Sequence, residues 1–183
     1  MSSARTLLPD DGAARHLRRG RRMPDLPLPS TTGREINFAK LPGRTTLYCY
    51  PWTGRPGEPN PPDWDNIPGA HGSTPQTEGY RDLWEAFNEL DTSVFGLSTQ
   101  SLAYQREMTL RLKVPFEIIS DESFALQRAL SLPVFETGGV TYLKRITLGL
   151  KDGAIERVFY PVPHPAADAR EVCAWLGMTH RSL

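Results

Sequence analysis

GAHGSTPQTEGYRDLWEAF, residues 69–87, sets a glycine-bounded turn and a Ser-Thr-Pro directly in front of a helical pattern. Its apolar positions Tyr80, Leu83, Trp84 and Phe87 fall at i, i+3, i+4 and i+7, the stripe of a helix packed on one side. Pro75 suits the first helical position, where a missing N–H costs nothing. Ser73 or Thr74 then caps the orphan amides, and Gln76 completes a capping-box pattern with Ser73. A helix start gathers unpaired N–H groups and the positive end of the macrodipole, so it favours anions, oxyanions and thiolates.

Upstream lies TTLYCYP, residues 45–51, a Thr- and Tyr-rich strand that Pro51 ends and that is expected to be central. Between strand and helix, residues 52–72 are too rich in proline and glycine for a regular element. Trp52, Trp64 and Ile67 give this long loop apolar anchors, so it reads as a structured lid or site wall. Trp52, Trp64 and Tyr50 either line a pocket or only anchor the loop.

Downstream, residues 93–99 read as a strand, 101–112 as a helix and 116–120 as a strand, the βαβ rhythm of a partly parallel sheet. SFALQRAL gives a short helix, TYLKRITLGL and AIERVFYPV two strands around Lys151-Asp152-Gly153, and PAADAREVCAWL a closing helix. LPLPSTTGREINF, near the start, suggests a small N-terminal β-hairpin. The sum is an α/β fold, a central mixed sheet flanked by helices.

The 183 residues suit one domain, expected over residues 23–178 behind an Arg-rich extension at 1–22. Lys plus Arg equals Asp plus Glu at 21 each, which gives no electrostatic argument for nucleic acid or a membrane surface. Arg15, Arg18, Arg19, Arg21 and Arg22 crowd together without interleaved aromatics and read as a solvated tail. Cys49 and Cys173, the two cysteines, show no metal-ligand spacing with the four histidines, so no metal site or disulfide scaffold is expected. Both read as small apolar core residues. With no bilayer-length apolar run and no secretory h-region, the chain is expected to be cytoplasmic.

A strand ending in Tyr-Pro, a helix opening TPQTEGYRD, the strand VFGLST, then LKVPFEIISDE and LKRITLGLKDG together resemble the peroxiredoxins over roughly residues 24–176. That family opens the helix with Gly-Cys-Thr and follows it with an Arg-Asp type pair. Here these are Gly72-Ser73-Thr74 and Arg81-Asp82, followed by Gly96-Leu97-Ser98 and VPFEIISD at 114–121. The resemblance implies a thioredoxin-like fold and a peroxide-reducing thiolate whose position falls on Ser73. It also makes Arg145 the arginine of a late strand beside the first one, with an electrostatic role at the site. Pro68 and Thr74 become substrate-binding residues, Thr74 helping to cap the helix. The implied substrate is hydrogen peroxide or an organic hydroperoxide and the implied reductant an external thiol or thioredoxin-like dithiol, with no metal, flavin or haem; a homodimer is left open.

Three departures qualify the likeness. A serine hydroxyl cannot be brought to the thiolate and sulfenate chemistry, so the chain with Ser73 is not expected to reduce peroxide. Pro68 stands five positions before Ser73 where the family's Pro-x-x-x-Thr/Ser-x-x-Cys has seven, and Ala70 takes the Thr/Ser place. Glu78 stands where many bacterial relatives keep a resolving cysteine, which implies a one-cysteine mechanism. Cys173 as resolving thiol would require its helix to unravel. Ser73 is read as an inactivating Cys-to-Ser replacement, the alternative being a natural peroxidase-dead homologue that binds a ligand or partner. A serine hydrolase would need a base, and His71 is the sole local candidate, with no orienting third group and no G-x-S-x-G. By position alone, Arg145 could instead pair with Glu117 or Glu156.

Overall fold

The structure, a computed structural model, describes residues 8 to 180. A short hairpin of β1 (Pro27–Pro29) and β2 (Glu35–Asn37) comes first, followed by β3 (Arg44–Cys49). Five of the six β3 residues are buried, as a strand covered on both faces requires. The long loop contains a single 3-10 turn, Trp64–Asn66. Helices α1 (Ser73–Asp82) and α2 (Trp84–Glu89) are followed by β4 (Thr92–Ser98), α3 (Leu102–Leu112), β5 (Glu117–Ser120) and α4 (Ala125–Leu130). The chain continues through β6 (Val134–Thr137), β7 (Val140–Leu143), β8 (Ile146–Lys151), β9 (Ala154–Phe159) and α5 (Pro165–His180).

The main sheet has the order β5-β4-β3-β8-β9, with β3 in the middle, parallel to β4 and antiparallel to β8. Side chains of β3 alternate between two cores because successive strand residues point to opposite faces. Leu47 and Cys49 join Leu97, Ile119 and Leu148 in a core covered by the hairpin, α4 and residues from the N-terminal stretch. Tyr48 and Tyr50 join Ile118, Tyr80, Phe87, Met108 and Trp175 in the opposite core, under α1, α2, α3 and α5. Tyr48 and Tyr80 stack with centroids 4.3 Å apart, which fixes α1 against the central strand.

Four expectations need correction. The Arg-rich stretch is not a solvated tail across the described residues from 8 onward. Ala14 and Leu17 are in the core, the Gly20 amide donates to the Ile155 carbonyl at 2.7 Å, and the Met23 amide donates to the Gly153 carbonyl at 2.8 Å. The segment thereby covers the free edge of β9, a protection that its arginines, read by charge alone, conceal. The single helix expected over 73–87 is jointed at Leu83, whose φ −101, ψ 7 is outside the helical basin.

Capping is the third. α1 starts at Ser73 with Gly72 as N-cap at φ 110, so Pro75 is the third helical residue and neither Ser73 nor Thr74 occupies the capping position. Pro75 still fits, since the third amide also lacks an intrahelical acceptor. Last, the strand expected at TYLKRITLGL is two strands broken at Lys144 and Arg145, and its first half pairs with β6 around Gly138-Gly139 at φ 56 and 74. Two successive positive φ values are what a tight hairpin needs, and the Gly-Gly pair was the available signal.

Candidate functional site

Ser73, the first residue of α1, and Arg145, in the break just before β8, are each 3% exposed and meet at the C-terminal end of β3. Both terminal guanidinium nitrogens lie 3.2 Å from Ser73 Oγ. Nη1 also donates to Gln76 Oε1 at 2.6 Å, and Nη2 lies 3.2 to 3.3 Å from the carbonyl oxygens of Gly69, Ala70 and His71. The loop entering α1 therefore wraps its carbonyls around one cation, which in turn faces the amide-rich start of the helix. Burial pulls the Arg145 pKa down to about 10, against the opposing pull of Asp168, so the side chain stays cationic at neutral pH. Arg145 Nε is buried with no partner.

Behind Arg145 stands a carboxylate that sequence reasoning missed. Asp168 of α5 is 1% exposed, and its Oδ2 accepts from Gln76 Nε2 at 2.8 Å, Tyr80 Oη at 2.7 Å and Thr147 Oγ1 at 2.7 Å. Burial pushes its pKa above the usual carboxylate value, while the three donors and Arg145 pull the other way. The capping-box pattern assigns Gln76 to the helix start, but its side chain bridges Arg145 and Asp168 instead. The local sequence around Asp168 carried no signal of this. Neither Glu117 nor Glu156 pairs with Arg145: the first binds Arg34 and the second Arg44.

In front of Ser73 is a hollow of about 240 Å³ walled by Trp52, Trp64, Asn60, His71 and Thr74. Trp52 and Trp64 pack edge to face there, 5.6 Å apart, while Tyr50 is buried in the sheet core. Pro68 lines a different cavity, about 280 Å³, with Arg145, Ile67, Phe135 and Tyr160, so the structure does not bring it into the hollow with Ser73. His71 is exposed and its Nε2 lies 2.6 Å from Asp65 Oδ1, with its ring partnered away from Ser73. Cys49 faces the core on the other side of the sheet, and Cys173, half-buried on α5, has its thiol pKa pushed up by burial to about 11. Among the described residues, no group of three His, Cys, Asp or Glu could hold a metal ion, and no helix is long and apolar enough to cross a membrane.

A central mixed five-stranded sheet with helices on its faces, an N-terminal hairpin and a helix starting at the end of the middle strand constitutes a thioredoxin-like α/β fold. The peroxidoxin BcpB of Mycobacterium tuberculosis matches with a TM-score of 0.72 at 22% identity, over 89% of this chain and 98% of that one. A Cys-to-Ser mutant of the peroxiredoxin Q of Xylella fastidiosa matches with a TM-score of 0.73 at 18% identity, over 90% and 98%. In sequence, the chain is 25% identical over 142 residues to the chloroplastic peroxiredoxin Q of Oryza sativa subsp. japonica, covering 77% of this chain and 58% of the rice protein. The same identity and length relate it to the peroxiredoxin Q of Sedum lineare, there over 68% of the relative. The chain thus spans less than two thirds of the length of the rice relative. No family model matches it. The chain is thus similar to peroxiredoxins, at 25% identity to the sequence relatives and 22% or less to the solved structures.

Proposed function

We propose that this is a thiol-peroxidase site in which position 73 is the nucleophile's place, occupied here by serine. The single observation that carries the reading is the double contact of the Arg145 guanidinium with Ser73 Oγ at a helix start. With sulfur at that atom, the cation and the helix dipole stabilise a thiolate, and the same donors bind the oxygens of a peroxide. The thiolate attacks one peroxide oxygen, the O–O bond breaks, and the departing alkoxide or hydroxide takes a proton to leave as alcohol or water. The sulfur is left as a sulfenic acid. One external thiol condenses with it, releasing water and forming a mixed disulfide, and a second displaces the first as a disulfide.

An external reductant fits the two cysteines present, since Cys49 is sealed in the sheet and Cys173 lies on a helix. Hydrogen peroxide or a small organic hydroperoxide suits a hollow of about 240 Å³. With Ser73 the chain binds but does not reduce peroxide, because oxygen at that atom has no sulfenate step.

The test is Ser73→Cys in the full chain, assayed for peroxide-dependent loss of one thiol. Stoichiometric oxidation to sulfenic acid, absent in the Ser73 protein, is the expected result; a folded variant whose thiol survives excess peroxide sinks the reading. The second reading, a peroxidase-dead homologue binding an oxyanion or a partner, is favoured by the serine itself, whose hydroxyl already engages both terminal nitrogens of Arg145. A native gene with a serine codon at 73 selects that reading, and a cysteine codon selects the first.

A further inference from the structure

We infer that Asp168, acting through the side-chain amide of Gln76, is the positioning residue that turns Arg145 toward position 73. The inference rests on reading position 73 as the nucleophile's place.

The argument is one of donors and acceptors. An ionised carboxylate only accepts, and three donors converge on Asp168 Oδ2. Two of them, Tyr80 and Thr147, are hydroxyls that can rotate to donate or to accept. Gln76 has no such freedom: once Nε2 is committed to Asp168, Oε1 is the end left for Arg145, and it accepts from Nη1 at 2.6 Å. The opposite amide orientation would set an NH₂ against the guanidinium and leave Asp168 a donor short. Gln76 therefore passes on the sign of the carboxylate: negative charge, amide N–H, amide carbonyl, guanidinium, Ser73 Oγ.

The surroundings favour this order. Asp168 is in the first turn of α5, where the helix dipole supports a negative charge. The groups facing it are Gln76 and Tyr80 from α1 and Thr147 from β8, with Tyr48 of β3 stacked behind Tyr80 and the charge of Arg145 beyond Gln76. Because Gln76 is neutral, the carboxylate orients the cation without sitting beside the nucleophile, where it would oppose a thiolate.

A purely structural Asp168 and a relay predict opposite signs, which makes the test sharp. The full chain carrying Ser73→Cys is alkylated with iodoacetamide across pH 4 to 9, without peroxide, to read the thiol pKa. Cys49 is sealed and burial pushes the Cys173 thiol up to about 11, so neither competes in that range. Asp168→Asn, Gln76→Met and the pair are then added, with thermal unfolding to confirm folding. If the relay operates, each single change raises the pKa at position 73 by about one unit, and the pair raises it no further than either alone. Deleting a negative charge through space lowers a thiol pKa instead, so a fall or no change on Asp168→Asn overturns the inference, as do shifts that add. Gln76→Met changes no charge and decides alone should Asp168→Asn not fold, an unmoved pKa overturning the relay. A low-pKa thiol that peroxide leaves intact sinks the peroxidase reading and spares the relay.

Discussion

Arg145 reaches Ser73 across 72 residues of sequence and touches its Oγ with both terminal guanidinium nitrogens at 3.2 Å. The same side chain closes the loop before α1 through three backbone carbonyls, so it serves structure and site together. Replacing it with methionine removes the charge and strands those carbonyls. In the Ser73→Cys protein, Arg145→Met is expected to cut the rate of peroxide-dependent thiol oxidation by about 100-fold or more. In the Ser73 protein it is expected to destabilise the fold by about 2 to 4 kcal/mol, read by urea unfolding.

Gly72 joins the start of α1 to the start of α5. It sits at φ 110, and an added Cβ would meet Pro165 Cγ at 2.7 Å. Gly72→Ala therefore strains the backbone and pushes the two helix starts apart. The expected outcome is a loss of about 2 kcal/mol in urea unfolding.

Leu17 anchors the N-terminal stretch in the core, 4% exposed. Leu17→Ala is expected to cost about 2 to 4 kcal/mol, a value foreign to a solvated tail. Hydrogen exchange should quicken at the amides of Gly20 and Met23, which bond to the β9 edge and its turn. A stability equal to that of the parent chain would contradict the docked segment.

Asp11 ties the same stretch down, accepting from Lys144 Nζ at 2.6 Å and Tyr160 Oη at 2.8 Å. The Lys144 bond, with help from the Ala13 amide and Tyr160, lowers its pKa to about 2. A carboxylate depressed in the folded state stabilises above its unfolded pKa, about 4, and loses that contribution as pH falls toward 2. Asp11→Asn is accordingly expected to be less stable than the parent at pH 6, with the gap closing between pH 4 and pH 2. Urea midpoints across that range check it, and a gap that persists at pH 2 would speak against the assignment.

Local chemistry accounts for the parts of the fold that were readable in advance. The Thr- and Tyr-rich β3 and the Asp152-Gly153 turn at φ 48 and 75 are each settled within a few residues. Propensity, capping and turn geometry act over that range, so order and type of most elements follow from the chain alone. Of the misread places, the docking of Leu17 is one where distant packing overrides local pattern, whereas the Gly138-Gly139 hairpin was itself a local signal.

By itself, then, the amino-acid order determined an α/β chain with a helix beginning near Pro75 and, through its resemblance, directed attention to Ser73 and Arg145. The tertiary structure alone decided that these two side chains meet, that Pro68 lines a separate cavity, and that Gln76 and Asp168 stand behind the guanidinium. The physical reason is range: a hydrogen bond between residues 76 and 168 exists because sheet order and α1–α5 packing bring two distant turns together, and no local window of sequence contains that information.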